Sequence, residues 1–405
     1  MIRYGSVLLW ILCSAPAHSE DFSSAVEAWL KKSKVEQKEF PRSNHALTRA
    51  EADRAAEIVW DVYRRLESNR AAKVLDQKFI EVDGKKMRFE YRVFGNRPEG
   101  GRSLYISMHG GGGAPTHVND QQWRNQIGLY ELNEGIYVAP RAPTDTWNLW
   151  HQAHIDIMFT ELIRVMVTAE GVNPDRVYLM GYSAGGDGVY QVAPRMADRF
   201  AAAAMMAGHP NESSPLGLRN LPFTIHVGEL DAGYKRNVVA REWGARLATL
   251  QKKDPGGYVH YTKIHKGRGH WMNREDAEAV PWMAKHTRNR YPDRVVWKQD
   301  DVVHQSFYWL LAEDPNLLKR AESRASITGQ SIRVESDYPS LTFLLNDLMV
   351  DLDRPLKITN GARVLFEGRV PRTVGHLLSS LQERGDEAFL FPARVKVQLG
   401  GVHND

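Results

Sequence analysis

The sequence predicts an α/β protein, a mostly parallel sheet flanked by helices, followed by a small β-rich domain. Its central part alternates short apolar runs (104–108, 136–139, 177–180, 201–206, 223–227, 259–264) with helix-length segments such as 155–169 and 238–250. Strand and helix in alternation imply parallel strands covered on both faces. Past residue 321 the texture changes to short strands with tight turns and a lone helix, which marks a second unit. The length of 405 residues, with 42% hydrophobic and 25% charged residues, suits two or three folding units and excludes a disordered, collagenous or multi-span membrane chain.

Taken in order, residues 1–19 read as a signal peptide: Arg3, then the apolar run 7–13, then the small residues Ala15, Ala17 and Ser19 that a signal peptidase accepts. That run is far shorter than the ~20 residues a membrane-spanning helix needs. An exported protein, periplasmic or extracellular, is therefore expected, with no integral membrane association. Cys13 is the single cysteine and falls inside this segment, so a mature chain would have no thiol nucleophile and no disulfide. Residues 20–75 form a helical prefix, in which Thr48 and Glu51 make a capping box ahead of Ala52, Ala55, Val59, Val62 and Leu66 on one face. Two stretches around Asp83-Gly84 predict an antiparallel hairpin over 78–93. The catalytic unit is placed at 76–320 and the β-rich accessory domain at 321–405, with strands at 326–335, 341–345, 356–359, 364–367 and 395–399, a turn at Asn360-Gly361 and a helix at 373–383. None of the eleven tryptophans lies in that last domain. Lys+Arg 53 against Asp+Glu 49 leaves a net charge of +4, too small and too evenly spread for a nucleic-acid surface.

The chemistry is carried by Gly181-Tyr182-Ser183-Ala184-Gly185. It directly follows the apolar strand 177–180 and precedes a helix-compatible run at 189–196, the strand–turn–helix context in which a serine hydroxyl stands above a sheet. His109-Gly110-Gly111-Gly112-Gly113 ends the strand 104–108, and a glycine run there can turn backbone N–H groups toward an oxyanion. No Lys-Ser or Lys-Thr follows it, which disfavours a phosphate loop. A serine needs a base and an orienting acid. His226, His260 and His265 sit within strands and read as core histidines, whereas His270 hangs in a loop just beyond the last parallel strand. Asp231 follows the strand 223–227, with Glu229 as the fallback acid. The order Ser183, Asp231, His270 is that of the α/β-hydrolase fold.

The stretch 173–186 together with the His109 glycine loop resembles secreted esterases of the polyhydroxybutyrate depolymerase and feruloyl esterase group, and the related phospholipase/carboxylesterase-type hydrolases, over residues 77–311. The resemblance implies Ser183 as nucleophile, His270 as base and Asp231 as acid, with oxyanion donors at Ala184 and at Gly111 or its neighbour Gly110. It implies a serine esterase acting on small or polymeric esters. The chain departs from several members of that group in having no cysteine pair. Trp147, Trp150, His151 and Trp271 are expected to line the substrate site, and Arg141, Lys235 and Arg236 to lie near strand ends where an anion could bind. Neither a metal nor an organic cofactor is called for, since water and the triad suffice. Two other readings stay open on sequence: a peptidase of the prolyl-oligopeptidase type, separated by turnover of peptide amides, and a non-catalytic binding protein, separated by failure of a fluorophosphonate to label Ser183. Nothing in the residues sets the oligomeric state.

Overall fold

The computed structural model describes residues 16–33, 37, 39–313 and 318–400. The core of the proposed signal segment, residues 1–15, lies outside them. Among the described residues no helix is long and apolar enough to cross a membrane.

The prefix consists of α1 (Pro16–Leu30) and α2 (Arg49–Gln77). Thr48 and Glu51 close the expected capping box, Thr48 N donating to Glu51 Oε2 at 2.8 Å and Glu51 N to Thr48 Oγ1 at 3.3 Å. Together they satisfy two of the amides that a helix start leaves open. Next come the hairpin β1 (Phe79–Val82) and β2 (Lys85–Phe94), then β3 (Arg102–Met108), α3 (Thr116–Ile127), β4 (Gly135–Pro140), α4 (Ala153–Glu170), β5 (Val172–Tyr182), α5 (Ala184–Arg195), β6 (Ala202–Met206), β7 (Phe223–Gly228), α6 (Arg236–Lys253), β8 (His260–His265) and α7 (Ala279–Met283). The eight strands form one sheet in the order β1-β2-β4-β3-β5-β6-β7-β8. β1 and β2 run antiparallel to their neighbours and the rest are parallel. This is the α/β-hydrolase arrangement.

The strand order dictates where a site can form. From β3 the chain goes to β4 on one side and then to β5 on the other, so the loops after β3 and β5 diverge and leave a crevice at the carboxyl edge. Met108 pairs with Gly181 across β3 and β5, which sets the glycine loop beside Ser183. Both faces of the sheet are covered. One carries Ile106, Val138, Leu179 and Met205 against α4 and α5; the other carries Tyr105, Tyr137, Tyr178 and Met206 against α3 and α7.

The remaining strands are β9 (Arg294–Lys298), β10 (Ser306–Phe307), β11 (Leu310–Leu311), β12 (Glu322–Thr328), β13 (Ser331–Ser336), β14 (Ser340–Leu345), β15 (Leu356–Asn360), β16 (Arg363–Gly368) and β17 (Ala393–Gln398), with α8 (Val374–Arg384) before the last. They form two sheets, β10-β11-β14-β17 and β16-β15-β13-β12-β9. Two expectations are corrected here. The strand expected at 326–335 is two strands, β12 and β13, because the chain reverses at Gly329 (φ +55) with Thr328 paired to Ser331. The boundary at 321 falls inside a paired unit: β9 bonds to β12 along five residue pairs, and β11 bonds to β14. Trp297 and Trp309 therefore belong to the β-rich part, where they pack on Phe307 and Phe343. Nor does that part stand apart, since its apolar residues join those of the central sheet in one continuous core. Buried ion pairs cross the same junction, Arg384 with Asp198 and Arg288 with both Asp175 and Asp386.

Candidate active site

Ser183 sits between β5 and α5 with φ 58 and ψ −121, a conformation that costs a non-glycine residue ~1–3 kcal/mol and persists only where the surroundings enforce it. The surroundings here are backbone. A Cβ on Gly181 would lie 2.2 Å from Gly185 O, and one on Gly185 would lie 2.1 Å from Met108 O, so the turn closes this tightly only with glycine at both positions. Ser183 N donates to Met206 O at 2.9 Å, which fastens the elbow to β6.

The three sequence-selected residues meet. Ser183 Oγ lies 2.9 Å from His270 Nε2, and His270 Nδ1 lies 2.8 Å from Asp231 Oδ2. Asp231 is buried while His270 is half exposed. Since a carboxylate only accepts, the His270 proton faces Asp231 and Nε2 is left as the acceptor toward the serine hydroxyl. Glu229, the fallback acid, is elsewhere: its Oε2 accepts from Gly267 N at 2.9 Å, so it holds the start of the His270 loop. A residue that sequence reasoning missed completes that hold. Tyr182 OH donates to His270 O at 2.6 Å and accepts from Met272 N at 3.1 Å. Its place beside the serine in the elbow motif was the available signal.

The glycine loop lies against the serine, a Cβ on Gly110 falling 3.1 Å from Ser183 Cβ. Gly112 N donates to Asn119 Oδ1 at 2.8 Å and Gly113 N to Asp145 O at 2.9 Å. The amides of Gly110 and Gly111 have no protein acceptor among the described residues. Ala184 N belongs to the first turn of α5, where amides lack an intrahelical partner. Gly111 is irreplaceable in this geometry: φ is +104, and a Cβ there would meet Asn119 Oδ1 at 2.2 Å.

Behind the loop lies a buried polar lattice. Asn119 Nδ2 donates to Ala114 O (3.0 Å) and to Asp145 Oδ1 (2.9 Å). His109 Nε2 accepts from Ala142 N at 3.1 Å, and burial lowers this imidazole to about 4. Trp150 is wholly buried, its indole N–H donating to His109 O at 2.9 Å, so the expectation that it contacts substrate is overturned: it supports the loop from within. Arg141 is also buried, engaged by Asp120 at 2.8 Å and by Asp145, and is no free anion ligand.

Trp147 and Trp271 are 66% and 50% exposed. Trp147 lies against Gly113 and edge-on to His151 (5.4 Å between centroids), and Trp271 lies 5.7 Å from the Tyr182 ring. Burial lowers His151 to about 4, with Arg195 adding to the effect. Asp187, another residue not singled out from sequence, is raised by burial despite accepting from His209 N at 2.6 Å. Among the described residues, the donor atoms of His226, His265 and Glu278 lie within 4.8 Å of one another, outside the relay.

No family model matches the chain, and no curated protein matches it. Solved structures do. A thermostable esterase is 18% identical over 52% of this chain and 64% of its own, with a TM-score of 0.40. Esterase PE8 is 18% identical over 49% of this chain and 96% of its own, with a TM-score of 0.35. A feruloyl esterase module from Clostridium thermocellum, complexed with sinapinate, is 14% identical over 51% of this chain and 86% of its own, with a TM-score of 0.35. The chain thus spans just under two thirds of the first of these.

Proposed function

We propose that the protein is a serine hydrolase that cleaves carboxylic esters through Ser183, His270 and Asp231. The observation that carries this is the unbroken relay of 2.9 and 2.8 Å hung on a serine with φ 58. Ser183 Oγ attacks the ester carbonyl while His270 Nε2 takes its proton, and Asp231 stabilises the imidazolium that forms. The carbonyl oxygen gains charge beside the amides of Ala184 and Gly110 or Gly111, whose preorganisation lowers the barrier by about 2.7–4 kcal/mol per donor. His270 returns the proton to the leaving alcohol, and a water repeats the cycle on the acyl-enzyme.

The exposed indoles support a substrate with an apolar or planar portion. Trp147 borders the oxyanion side and Trp271 the base side, so an extended ester crossing Ser183 meets an aromatic face at each end. The signal-like residues 1–19 support export, which N-terminal sequencing of the protein recovered outside the cytoplasm tests.

The decisive experiment is hydrolysis of p-nitrophenyl esters by the wild type and Ser183→Ala. A loss of kcat by roughly 10⁴-fold or more is expected, with labelling by a fluorophosphonate abolished. Undiminished turnover in Ser183→Ala overturns the reading. A panel of chain lengths with feruloyl and acetylated-sugar esters then ranks the acyl groups.

A further inference from the structure

On the sheet face covered by α7, two strands and the turn before that helix bring three donor side chains together: His226 of β7, His265 of β8 and Glu278 of the 3-10 turn Glu275–Glu278. The facing atoms are His226 Nδ1 and His265 Nε2, 3.2 Å apart, with Glu278 Oε1 3.7 Å from His226 Nδ1. All three donors lie within 4.8 Å of one another. Two ligands of a tetrahedral ion with bonds of 2.0–2.1 Å sit ~3.3 Å apart, so the two imidazoles are already at that spacing.

The far sides of the rings identify the bare nitrogens. Thr224 Oγ1 donates to Tyr261 O at 3.2 Å, so at 2.9 Å it accepts from His226 Nε2, and the neutral ring carries no proton on Nδ1. His265 Nδ1 faces the Glu275 carboxylate at 3.4 Å, and a neutral ring with its proton on that side leaves Nε2 free to accept a hydrogen bond or to hold a cation. Glu278 Oε1 is buried without a hydrogen-bond partner. Lys263 Nζ, the nearby cation, lies 3.8 Å from the other oxygen, Oε2. His226 Nδ1 and His265 Nε2 face each other at hydrogen-bonding distance, so either a proton or a cation bridges them, and Glu278 Oε1 adds a third donor on the same side. The outer contacts to Thr224 and Glu275 are of the kind that orient ligating histidines and fix their tautomers.

We propose that His226, His265 and Glu278 bind a divalent transition-metal ion of the zinc class. Two neutral imidazoles and one carboxylate leave a net charge of +1 and an open fourth position for water. The ester chemistry does not call on this ion. It joins β7 and β8 to the turn that follows the His270 loop, and so acts as a staple for that loop.

The test is metal uptake by the full-length, chelator-dialysed protein, with the wild type and Ser183→Ala titrated in parallel with zinc and with cobalt(II). One equivalent per chain, the intense visible bands of tetrahedral cobalt, and equal binding by Ser183→Ala are expected. Glu278 is half exposed, so Glu278→Gln keeps the fold, and it should weaken binding at least about tenfold. His265→Asn should do the same, and zinc should raise Tm in the wild type but not in either variant. Absence of stoichiometric uptake, or binding unchanged in both variants, overturns the proposal: the first means that a shared proton holds the two rings, the second that the metal sits elsewhere.

Discussion

Two loops flank Ser183, and they are built in opposite ways. The glycine loop after β3 rests on buried polar groups: Asn119, Arg141, His109 and Trp150 are all shielded from solvent, and each is spoken for by hydrogen bonds or ion pairs. The His270 loop after β8 lies at the surface. It is held by Leu230 N to Arg268 O (2.8 Å), Glu229 to Gly267 N (2.9 Å) and the two bonds through Tyr182 OH. The contrast follows from what each loop is asked to do. Oxyanion donors stabilise charge only if they are already in place, so their loop needs a support that does not give. The base takes a proton and returns it, and a few directional bonds suffice to keep it in reach.

The contrast breaks most readily at its stiffest point. Gly111→Ala should lower kcat roughly 10²–10³-fold with circular dichroism unchanged, because the new methyl strikes Asn119 Oδ1 and turns the oxyanion amide away. Asn119→Ala removes the acceptor of Gly112 N and a partner of Asp145; it should cost about 10²-fold in kcat and lower Tm, as a buried network loses a member. Equal activity in Asn119→Ala and wild type would show that the lattice does not position the amides. On the other loop, Tyr182→Phe should lower kcat about tenfold with KM little changed, since His270 O and Met272 N lose a common partner while the relay atoms remain.

Acid probes the same buried lattice. His109 titrates at about 4 when folded, below the 6.5 of an ordinary imidazole, because burial penalises its charged form. The unfolded chain takes up the proton first as pH falls. The stability that His109 contributes is therefore complete above pH 6.5 and lost progressively toward pH 4, by on the order of 3 kcal/mol. Urea denaturation at pH 7 and at pH 4.5 should show this loss, and His109→Gln should flatten it. The smallest effect is expected for Glu229→Gln: the side chain is only partly buried, its bond to Gly267 N lies at the surface and survives with an amide oxygen, so stability should move by no more than ~0.5 kcal/mol.

Local signals made the relay legible and the supports illegible. Ser183, Asp231 and His270 each sit at a strand's carboxyl end beside glycines, and hydropathy marks those strand ends. Trp147 and Trp150 share one loop and one chemistry; only the direction of each side chain makes the first a surface face and the second a buried support, and direction depends on the tertiary fold. Likewise β9 reads as one more apolar run after α7, and its pairing with β12 is a contact between segments distant in the chain, which no periodicity encodes. The turn at Gly329 was missed because β12 and β13 flank it with one continuous β-prone pattern.

The packing of the prefix has a consequence for how the chain is assembled. Val26, Val59 and Val62 of α1 and α2 form one apolar cluster with Leu377, Leu378 and Leu381 of α8. α2 also lies along α4. Almost the entire chain is synthesised between the first and the last member of that cluster. At 5–20 residues per second, the ribosome delivers α8 tens of seconds after α2. Throughout that interval the prefix carries an uncovered apolar stripe, and the closing contact between the two ends is of high sequence separation, the kind that forms late in folding. Such a chain closes this part of its core only once α8 has been made, so the contact that joins α2 to α8 is among the last that the fold acquires.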